Sequence, residues 1–584
     1  MKESGSILSF HRDWWLPRVQ PDVIEALSTQ LPLSKPIAKV LYNRKIRTIK
    51  EASHFLHPSL DHLHDPFALP DMRAAVHRIL RAVDGQERIV IYGHDDVDGV
   101  SSALVLCKVI ESLGGNVRSY IPNRVAEGTG LIWSNLDLFA RQGENLIVTV
   151  DCSVEDKRII SGIDRAPADI IVTDHHEVCH VIPQSIPFVN PKRNDASYPF
   201  RELAGVGVSF KVAQALIQTR GKVLEHFFNK IGDLVAFGTL ADSVPLVNEN
   251  RIFTKLGFDI FTSRPRPGFD ALLTLFEERE PIQPELRIRQ LISAFNSAST
   301  SGGQNDSLDL LVTEDPKQAT QLAKELLESN REWRKVIEES FERILERVRR
   351  EQSGKERAIV VIDDQTPPRV LGTCASKILR ECQKPAFILS YFDDKYFGEA
   401  RGPKGSNIVD ILNLCQDLLM NYGGHKQAAG FSLFPEHIDD FRERLAELSK
   451  TMPYASHTPW RLDSELDVGL LNTSLLSQID MLAPFGRGNP SPVFLGRDVP
   501  FTPIRVHDVN RNNKWIGTAA GCTVIASPQV ADMWRPGKNT SSTQYDIIFH
   551  ISTSDGHTPQ IVLRDMRPTE PARKAKKQVD TMKK

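Results

Sequence analysis

The sequence predicts an α/β protein in which a domain with a mostly parallel sheet is joined by a long helix to a smaller α/β domain. A β-rich domain, a small barrel or sandwich, follows. Three observations support this fold class. From Arg88, short β-rich runs alternate with helical patterns, as in βαβ units. One helical pattern then runs from Pro316, and after Gly354 a second α/β pattern leads into strand-like segments with turns.

Residues 1–85 are predicted to form an N-terminal helical cap on the next domain, because the segment DMRAAVHRILRAV repeats its apolar residues at helical spacing. Residues 86–315 are predicted to form the main domain. Its strands are expected at RIVIY, NVRSYIP, NLIVTV and ADIIVT, which alternate with helical stretches such as VSSALVLCKVIESL. A further helical block completes this domain.

A single bridging helix is predicted over 316–352. Asp315 stands at its N-cap and Pro316 at its first position, which are the places that these residue types favour. Its apolar residues lie four or seven apart: Leu322, Leu326, Trp333, Ile337, Ile344 and Val348. Because this stripe is short, a helix between two domains is favoured over the alternative, a coiled-coil dimer arm.

The segments beyond this helix predict two more domains and a tail. Residues 355–450 begin with the strand-like AIVVIDD and reach the glycine-rich MNYGGHKQAAGFS. Residues 460–567 form the β-rich domain, with strands such as YDIIFHIS. Residues 568–584 carry many lysines and arginines and few acids, which predicts a basic, disordered tail.

Length and charge exclude some classes of protein. The chain has 584 residues, with 72 Lys and Arg against 74 Asp and Glu, and a formal charge of −2. At about 100 to 200 residues per domain, this length suits several domains with separate cores. The near-neutral balance excludes a wholly basic, histone-like nucleic-acid binder, but it allows a local basic groove.

Targeting and cysteine signals predict a cytoplasmic protein without structural cross-links. No uncharged apolar run approaches the roughly 20 residues that span a bilayer, and Met1–Arg18 has no apolar signal core. The seven cysteines are scattered and form no CxxC pair, which argues against a disulfide framework or a cysteine-ligated zinc.

The strongest chemical signal is GHDDVDGVSS, directly after the strand RIVIY and before a helix. In a doubly wound sheet this position is the carboxyl end of a strand, where ligands bind. His94, Asp96 and Asp98 are each two residues apart, so an extended segment would point all three side chains the same way. The spacing indicates a divalent-metal site, although a solvated acidic turn can have the same Asp-x-Asp pair.

Three further segments carry carboxylate or imidazole at similar positions. Asp174, His175 and His176 follow the strand ADIIV, Asp151 ends the strand NLIVTV, and Asp242 follows a helical run. Each of these alone is typical of a helix cap or a turn. In a metal site, Asp174 could accept a hydrogen bond from one nitrogen of an imidazole ring and so orient that ring, while its other nitrogen ligates the metal.

Together these segments predict a two-metal centre. Neighbouring parallel strands end at one sheet edge, and carboxylates crowded there would repel one another unless divalent cations supply positive charge. Oxygen ligands with imidazole and without thiolate suit Mn²⁺ or Mg²⁺. Asp151 is the natural candidate to bridge two ions, an arrangement that splits phosphate esters.

In this order, GHDDVDG, VDCS, TDHH and LADSVP resemble the motifs of the DHH phosphoesterase family, and GGHKQAAG resembles its DHHA1 substrate domain. Flanking segments, among them IPNRVAEGTGL, GEARG and PFGRGNPSPVF, are similar to the RecJ branch of that family. The resemblance implies a DHH domain, a DHHA1 domain and an OB-like nucleic-acid-binding domain. It also implies a two-metal exonuclease of DNA repair and recombination that degrades single-stranded DNA from its 5′ end to nucleoside 5′-monophosphates.

Carried over by position, the resemblance implies two Mn²⁺ or Mg²⁺ ions held by six ligands: His94, Asp96, Asp98, Asp151, His175 and Asp242. Catalytic roles fall to Asp151 and His175, to His176 at the scissile phosphate, and to Asp174, which would steer the histidines. RecJ proteins commonly have aspartate where His94 stands, but the wider family has histidine there.

The resemblance also gives candidates for contacts with the DNA strand: Arg124, Asn296, Arg401, Gly424, His425 and Trp515. The glycine would allow close backbone approach, His425 could donate to a phosphate, and Arg401 offers a planar fork. A simple glycine turn and a packed tryptophan are the alternatives for Gly424 and Trp515. A helicase or single-strand-binding protein is a further expected partner, and a membrane is not.

Some positions depart from the RecJ pattern. The arginine-bearing segment PRLNAAGR corresponds here to part of LISAFNSAST, with Ala294 and Thr300 at the arginine positions. WHPGVIG corresponds to TPPRVLG, with Pro367 at the histidine, and Asp95 replaces the tyrosine of the first motif. Because the expected ligands persist, we predict an active nuclease with altered affinity or product pattern.

Two other functions stay open at this point. A DHH phosphodiesterase of short oligonucleotides or cyclic dinucleotides would share the first two domains but lack the region 460–567. A catalytically weakened scaffold that binds nucleic acid would agree with the missing arginines. Neutral overall charge with discrete basic residues predicts DNA binding that is local and strongly salt-sensitive.

Overall fold

The computed structural model describes residues 13–123, 127–128, 130–152, 154, 157–162, 166–178, 183–277, 284–351, 357–450, 459–509, 512–526, 530, 544–553 and 558–569. These residues form two compact units. The first lies within Ser59–His457, and the second combines the described residues on either side of it.

The first unit contains a five-stranded sheet in which all neighbouring strands are parallel, as predicted. In spatial order its strands are Asn116–Tyr120, Arg88–Tyr92, Leu146–Val150, Asp169–Thr173 and Phe188–Val189. The strand Arg88–Tyr92 is the first of these in sequence, yet it lies between the second and the third. The strand order therefore reverses beside it, and ligands of doubly wound sheets bind at such a switch point.

Successive residues of these strands face two hydrophobic cores, one on each side of the sheet. Ile89 and Ile91 belong to one core, and Val90 and Tyr92 to the other. The sheet is therefore buried on both faces, and the strand ends are left as the place for polar chemistry. The helices of this domain are Met72–Asp84, Val97–Ser112, Trp133–Arg141, Lys157–Gly162, Gly205–Thr219, Leu224–Ala241, Asn248–Ser263, Pro267–Glu277, Pro284–Phe295 and Asp306–Val312.

The bridging helix runs over Pro316–Glu351, which confirms the prediction of one long helix. Near its start, Ala319, Ala323 and Leu326 lie in the core of the parallel-sheet domain. Near its end, Ile344 and Val348 lie in a core of the next domain. The apolar residues at the two ends of the helix are thus buried against two domains of the same chain, as expected for a helix between domains.

The second domain of this unit has a mixed five-stranded sheet. In spatial order its strands are Asn421–His425, Ala428–Leu433, Lys395–Arg401, Ala386–Phe392 and Ile359–Ile362. The helices Leu371–Cys382, Ile408–Asn413 and Ile438–Ser449 accompany it. Ile388 and Leu389 face different cores, so this sheet also separates two apolar layers.

The second unit contains a closed β barrel. Its strands Phe494–Val509, Asn512–Ala519, Cys522–Ala526, Pro559–Pro568 and Gln544–Thr553 pair in this order, and the last pairs with the first. A closed five-stranded barrel agrees with the expected OB-like domain. Short strands at Trp14–Trp15, Trp460–Arg461 and Ser464–Glu465 and a helix at Thr473–Leu482 complete the unit. The predicted tail lies outside the described residues from 570 onward.

The N-terminal helices differ from the prediction of one cap over 1–85. The helices Pro21–Gln30, Lys35–Asn43 and Ile49–Leu56 share a hydrophobic core with the barrel. Only the segment after Pro58, including Met72–Asp84, belongs to the parallel-sheet unit. Helical periodicity shows that a helix has an apolar face, but it does not show which domain covers that face.

Within the described residues, every helix is too short or too polar to traverse a bilayer. The six cysteines in this part of the chain carry free thiols.

Candidate metal centre

The GHDDVDG segment turns directly from the end of the strand Arg88–Tyr92 into the helix Val97–Ser112. Asp96 is the N-cap of this helix, and its Oδ1 accepts a hydrogen bond of 3.0 Å from the Gly99 amide. A Cβ at Gly99 would lie 2.5 Å from the main-chain nitrogen of His94, so only glycine allows this turn. The turn leaves Asp96 Oδ2 3.3 Å from His94 Nδ1.

Asp98 is buried and is fixed by a second helix. Its Oδ2 accepts from the Gly205 amide and its Oδ1 from the Val206 amide, both at 2.8 Å. These amides open the helix Gly205–Thr219, where the helix dipole favours a negative charge. The segment LAGVGV therefore presents backbone donors to the carboxylate, a role that we did not predict from the sequence.

Asp151 follows the strand Leu146–Val150 in the left-handed region, with φ of +58°. Non-glycine residues adopt this conformation at a cost, and it is concentrated at functional sites. Its amide donates to the Thr173 carbonyl at 3.1 Å, which ties the turn to the neighbouring strand. A Cβ at Gly205 would lie 2.4 Å from Asp151 Oδ1, so the carboxylate needs a glycine opposite it.

His175 connects Asp151 with Asp242. Its Nδ1 lies 3.0 Å from the carbonyl oxygen of Leu203, an acceptor only, so we assign the proton to Nδ1. Its Nε2 lies 3.1 Å from Asp151 Oδ1, and Asp242 Oδ2 lies 3.7 Å from Nδ1. In this tautomer the Nε2 lone pair faces a carboxylate oxygen, and a cation that both atoms ligate would relieve their repulsion.

Possible ligand atoms form three overlapping sets, each within 4.8 Å: Asp151 with His175 and His176, His94 with Asp96 and Asp151, and Asp98 with His175 and Asp242. Asp151 belongs to two sets, and so does His175. All six predicted metal ligands are therefore brought together at the switch point of the sheet.

The electrostatics of this centre call for positive charge. Burial, followed by the charge of neighbouring acids, raises the pKa of Asp98 and Asp151 well above the usual value. Burial also raises the pKa of Asp242. Asp151 Oδ1 and Asp242 Oδ2 are buried and accept no hydrogen bond within the described part of the chain. Oxygens of this kind, together with imidazole, fit a hard divalent cation.

Asp174 holds His176 rather than entering a ligand set. Its Oδ1 accepts from His176 Nδ1 at 2.8 Å, and the Asn190 amide group donates to the His176 carbonyl at 3.0 Å. Burial opposes ionisation of Asp174, but the charge and hydrogen bond of His176 prevail and keep the pKa of Asp174 below its usual value. The same contact raises the pKa of His176 against the effect of burial. His176 therefore directs Nε2 away from Asp174 as a potential donor.

The DHHA1-like domain contributes His425 to this site. The His425 ring stacks on that of His176 with centroids 5.4 Å apart and planes 15° apart. Gly424, with φ of +138°, lets the strand reach this position. Arg401 lies in the same row of the sheet through Ala428, but its guanidinium bonds Glu399 Oε2 at 2.7 Å. Its fork is thus partly engaged within the domain.

Other predicted strand contacts have different outcomes. Asn296 Oδ1 accepts from the Val97 amide at 3.3 Å and so supports the motif helix. Arg124 lies outside the described residues, as does the side chain of Trp515, whose backbone forms part of the strand Asn512–Ala519. Ala294, at a position where the RecJ pattern has arginine, is fully buried in the domain core and cannot contact a DNA strand.

Lys192 is a residue at this edge that the sequence did not single out. It follows the short strand Phe188–Val189, and its side chain is only 10% exposed. Its Nζ lies 3.8 Å from Glu177 Oε1, and its charge opposes the burial-driven rise in the pKa of Asp242. A two-residue strand gives too weak a pattern for the following loop to be recognised as a strand end.

Comparisons with known proteins agree with this architecture. The family models described as the DHH family N-terminal domain, the DHHA1 domain and the RecJ OB domain match residues 88–239, 355–451 and 462–520. The crystal structure of RecJ from Thermus thermophilus in complex with Mn²⁺ is similar, with a TM-score of 0.75 and 25% identity. That match covers 96% of this chain and 80% of the other.

Two curated relatives carry the name single-stranded-DNA-specific exonuclease RecJ. The Bacillus subtilis protein is 33% identical over 506 residues, which cover 86% of this chain and 63% of the relative. The Dickeya dadantii protein is 30% identical over 497 residues, which cover 80% of this chain and 85% of the relative. The chain thus spans less than two thirds of the first relative and most of the second. On sequence and on fold, the chain belongs to the RecJ family.

Proposed function

We propose that this chain is a metal-dependent exonuclease that hydrolyses single-stranded DNA from the 5′ end and releases nucleoside 5′-monophosphates in DNA repair and recombination. The observation that carries the proposal is the set of overlapping ligand groups around Asp151 at the sheet switch point. The names of the relatives support the substrate class. The 5′ polarity rests on the motif resemblance, since two-metal hydrolysis can work from either end.

Two Mn²⁺ or Mg²⁺ ions would be held by the six predicted ligands: His94, Asp96, Asp98, Asp151, His175 and Asp242. The buried oxygens of Asp151 and Asp242 that accept no hydrogen bond from the described residues, and the Nε2 lone pair of His175, fit this role. The Mn²⁺ complex of the Thermus thermophilus protein supports the choice of metal. When bound, such ions neutralise charge on the phosphodiester and acidify water.

The protein's own residues would orient the substrate. His176 Nε2 would donate to a non-bridging phosphate oxygen, because Nδ1 is committed to Asp174. Asp174 raises the pKa of His176 and fixes the direction of its ring. His425, stacked on His176, would bring a second donor and would shield that face of the phosphate from water.

We also propose a cytoplasmic location, with single strands supplied by a helicase or protected by a single-strand-binding protein. The match to the RecJ OB domain over 462–520 disfavours a phosphodiesterase confined to dinucleotides, since the barrel suits a longer strand.

A cleavage assay on end-blocked strands tests the proposal. The purified chain with Mn²⁺ should shorten a 3′-blocked single strand and leave a 5′-blocked strand and duplex DNA largely intact. Full-length strands that persist while Mn²⁺ is bound would favour the scaffold alternative. Cleavage restricted to dinucleotides would favour the small-substrate phosphodiesterase.

Divalent metal is expected to stabilise the folded protein. Mn²⁺ at about a hundred times its Kd should add about 2.7 kcal/mol for each occupied site to the free energy of unfolding of the unit that binds it. The reason is that the ion binds the folded state, where Asp96, Asp98, Asp151 and Asp242 are crowded together, in preference to the unfolded chain. Differential scanning calorimetry with and without EDTA measures the shift in Tm. NaCl at equal ionic strength is the control. A shift in Tm as large with NaCl as with Mn²⁺ would indicate general screening of the carboxylate charges.

Replacing Lys192 with methionine is expected to weaken substrate binding more than turnover. The change removes a cation from the edge that holds His176 and Asp242, so KM should rise about tenfold with kcat nearly unchanged. The slope of log KM against log salt should fall by roughly 0.7, as for one lost phosphate contact on a single strand.

Two variants control for this prediction. Lys192→Arg should keep KM near the wild-type value. Lys222→Met removes the same charge beyond the other end of the helix Gly205–Thr219 and should leave both KM and the salt slope unchanged. An unchanged slope in Lys192→Met would exclude a phosphate contact.

A further inference from the structure

We infer that Arg369 is a positioning residue that clasps the DHHA1 domain to the catalytic domain and so keeps His425 over His176. This inference rests on the proposed function for its catalytic consequence. The observation that supports it is that this one arginine contacts both Asn296, which follows the helix Pro284–Phe295, and Trp333 in the middle of the bridging helix.

Arg369 makes two directional contacts from the short 3-10 helix Pro368–Val370. Its Nη2 donates to the main-chain oxygen of Asn296 at 3.1 Å. Its guanidinium carbon lies 5.4 Å from the ring centroid of Trp333 in the bridging helix. A planar guanidinium can stack and donate at the same time, so a single side chain fixes both the distance and the angle of the domain.

The acceptor of this bond lies where three elements meet. Asn296 follows the helix Pro284–Phe295, and its side chain accepts from the Val97 amide at 3.3 Å. Val97 is the first residue of the motif helix, directly after Asp96. Nearby, Asn330 of the bridging helix donates to the Ser293 carbonyl at 2.7 Å. Arg369 is therefore linked through one residue to the segment that carries a predicted metal ligand.

Within the DHHA1 domain, Arg369 is also connected to His425. The helix Leu371–Cys382 begins two residues later, and a Cβ on Gly372 would lie 2.6 Å from Arg401 Nη2. Arg401 pairs in register with Ala428, and Ala428 with His425. A movement of the domain that breaks the Arg369–Asn296 bond would thus also separate His425 from His176.

Kinetics of Arg369→Ala test the clasp in the full chain. If substrate binding must restore the closed arrangement, Arg369→Ala raises KM about tenfold and leaves kcat within about twofold. A variant that was only partly folded would instead lose kcat at constant KM. Arg369→Lys should recover part of the KM effect, because the ammonium can reach the Asn296 carbonyl but lacks the flat stacking surface.

A double-mutant cycle identifies the route. If Arg369 acts through His425, Arg369→Ala changes KM less than about twofold in a His425→Ala background. Additive effects on KM in the double variant, or a loss of kcat alone, would overturn the inference.

Hydrogen exchange tests the same contact without any cleavage. In Arg369→Ala, the amide of Val97 and the first turn after it should exchange about tenfold faster than in the wild type. Arg380→Ala, an exposed arginine of the same domain, is the matched control and should leave the rate unchanged. Unchanged exchange in Arg369→Ala would overturn the clasp, whereas a wild type that fails to cleave DNA would overturn only the proposed function.

Discussion

Replacing Asp151 with asparagine should lower kcat by at least about a thousandfold while single-strand binding is largely kept. Asp151 belongs to two of the three ligand sets, so the change removes the negative charge of a carboxylate that two ions would share. Asparagine is the appropriate substitution because it tolerates the left-handed backbone at this position, with φ of +58°, whereas alanine tolerates it poorly. Single-turnover cleavage with Mn²⁺ and fluorescence anisotropy with a labelled strand measure the two effects.

The stability of the metal-free variant separates lost chemistry from lost folding. Asp151 is buried, and other acids raise its pKa further, so the neutral amide should leave the metal-free protein at least as stable as the wild type. Asp195→Asn is the control, since this carboxylate is 65% exposed and paired with Arg193. Retained turnover in Asp151→Asn would remove Asp151 from the shared-ligand role.

The metal centre was predictable because chain order and sheet geometry agree there. His94, Asp96, Asp151 and His175 all follow apolar strands, and parallel strands end at one edge. Asp242 was predicted from its motif, and the structure brings it to the same centre at the end of the helix Leu224–Ala241. Their distances and shared memberships depend on the switch in strand order, which pattern alone does not specify.

Contacts that depend on tertiary placement could not be predicted. The stacking of His425 on His176 depends on where the bridging helix places the second domain. The tautomer of His175 depends on a main-chain oxygen, that of Leu203, which no side-chain motif reveals. The packing of Pro21–Gln30 with the barrel depends on which apolar surface is available to its amphipathic face.

The segment that holds the centre together differs from the segments that supply its ligands. Gly205 and Val206 present amides to Asp98, Leu203 presents a carbonyl to His175, and Gly205 leaves room for Asp151. None of these three residues offers a metal ligand of its own through a side chain. The segment nevertheless fixes the direction of three predicted ligands, so its substitution should disable the centre as fully as the loss of a ligand.

Gly205→Ala is therefore expected to reduce kcat/KM at least about a hundredfold without removing any predicted ligand. The new Cβ would lie 2.4 Å from Asp151 Oδ1 and 2.6 Å from Asp151 Cγ, far inside contact distance. The backbone cannot retreat easily, because the Gly205 amide donates to Asp98 at 2.8 Å. Either Asp151 rotates away or the helix start shifts from Asp98, and the free energy of unfolding falls by about 1–3 kcal/mol.

Gly207→Ala, two residues further along the same helix, distinguishes this mechanism from general crowding. Its Cβ would lie 3.3 Å from Leu203 Cδ2, a side-chain atom that can move, and it would not approach a carboxylate. Alanine also favours a helix over glycine by about 1 kcal/mol, so stability and cleavage should stay near wild type. Chemical denaturation, steady-state cleavage and Mn²⁺ titration of both variants give the comparison. Equal losses in the two variants would indicate a packing defect, whereas an active Gly205→Ala enzyme would show that cleavage does not require Asp151 in its observed position.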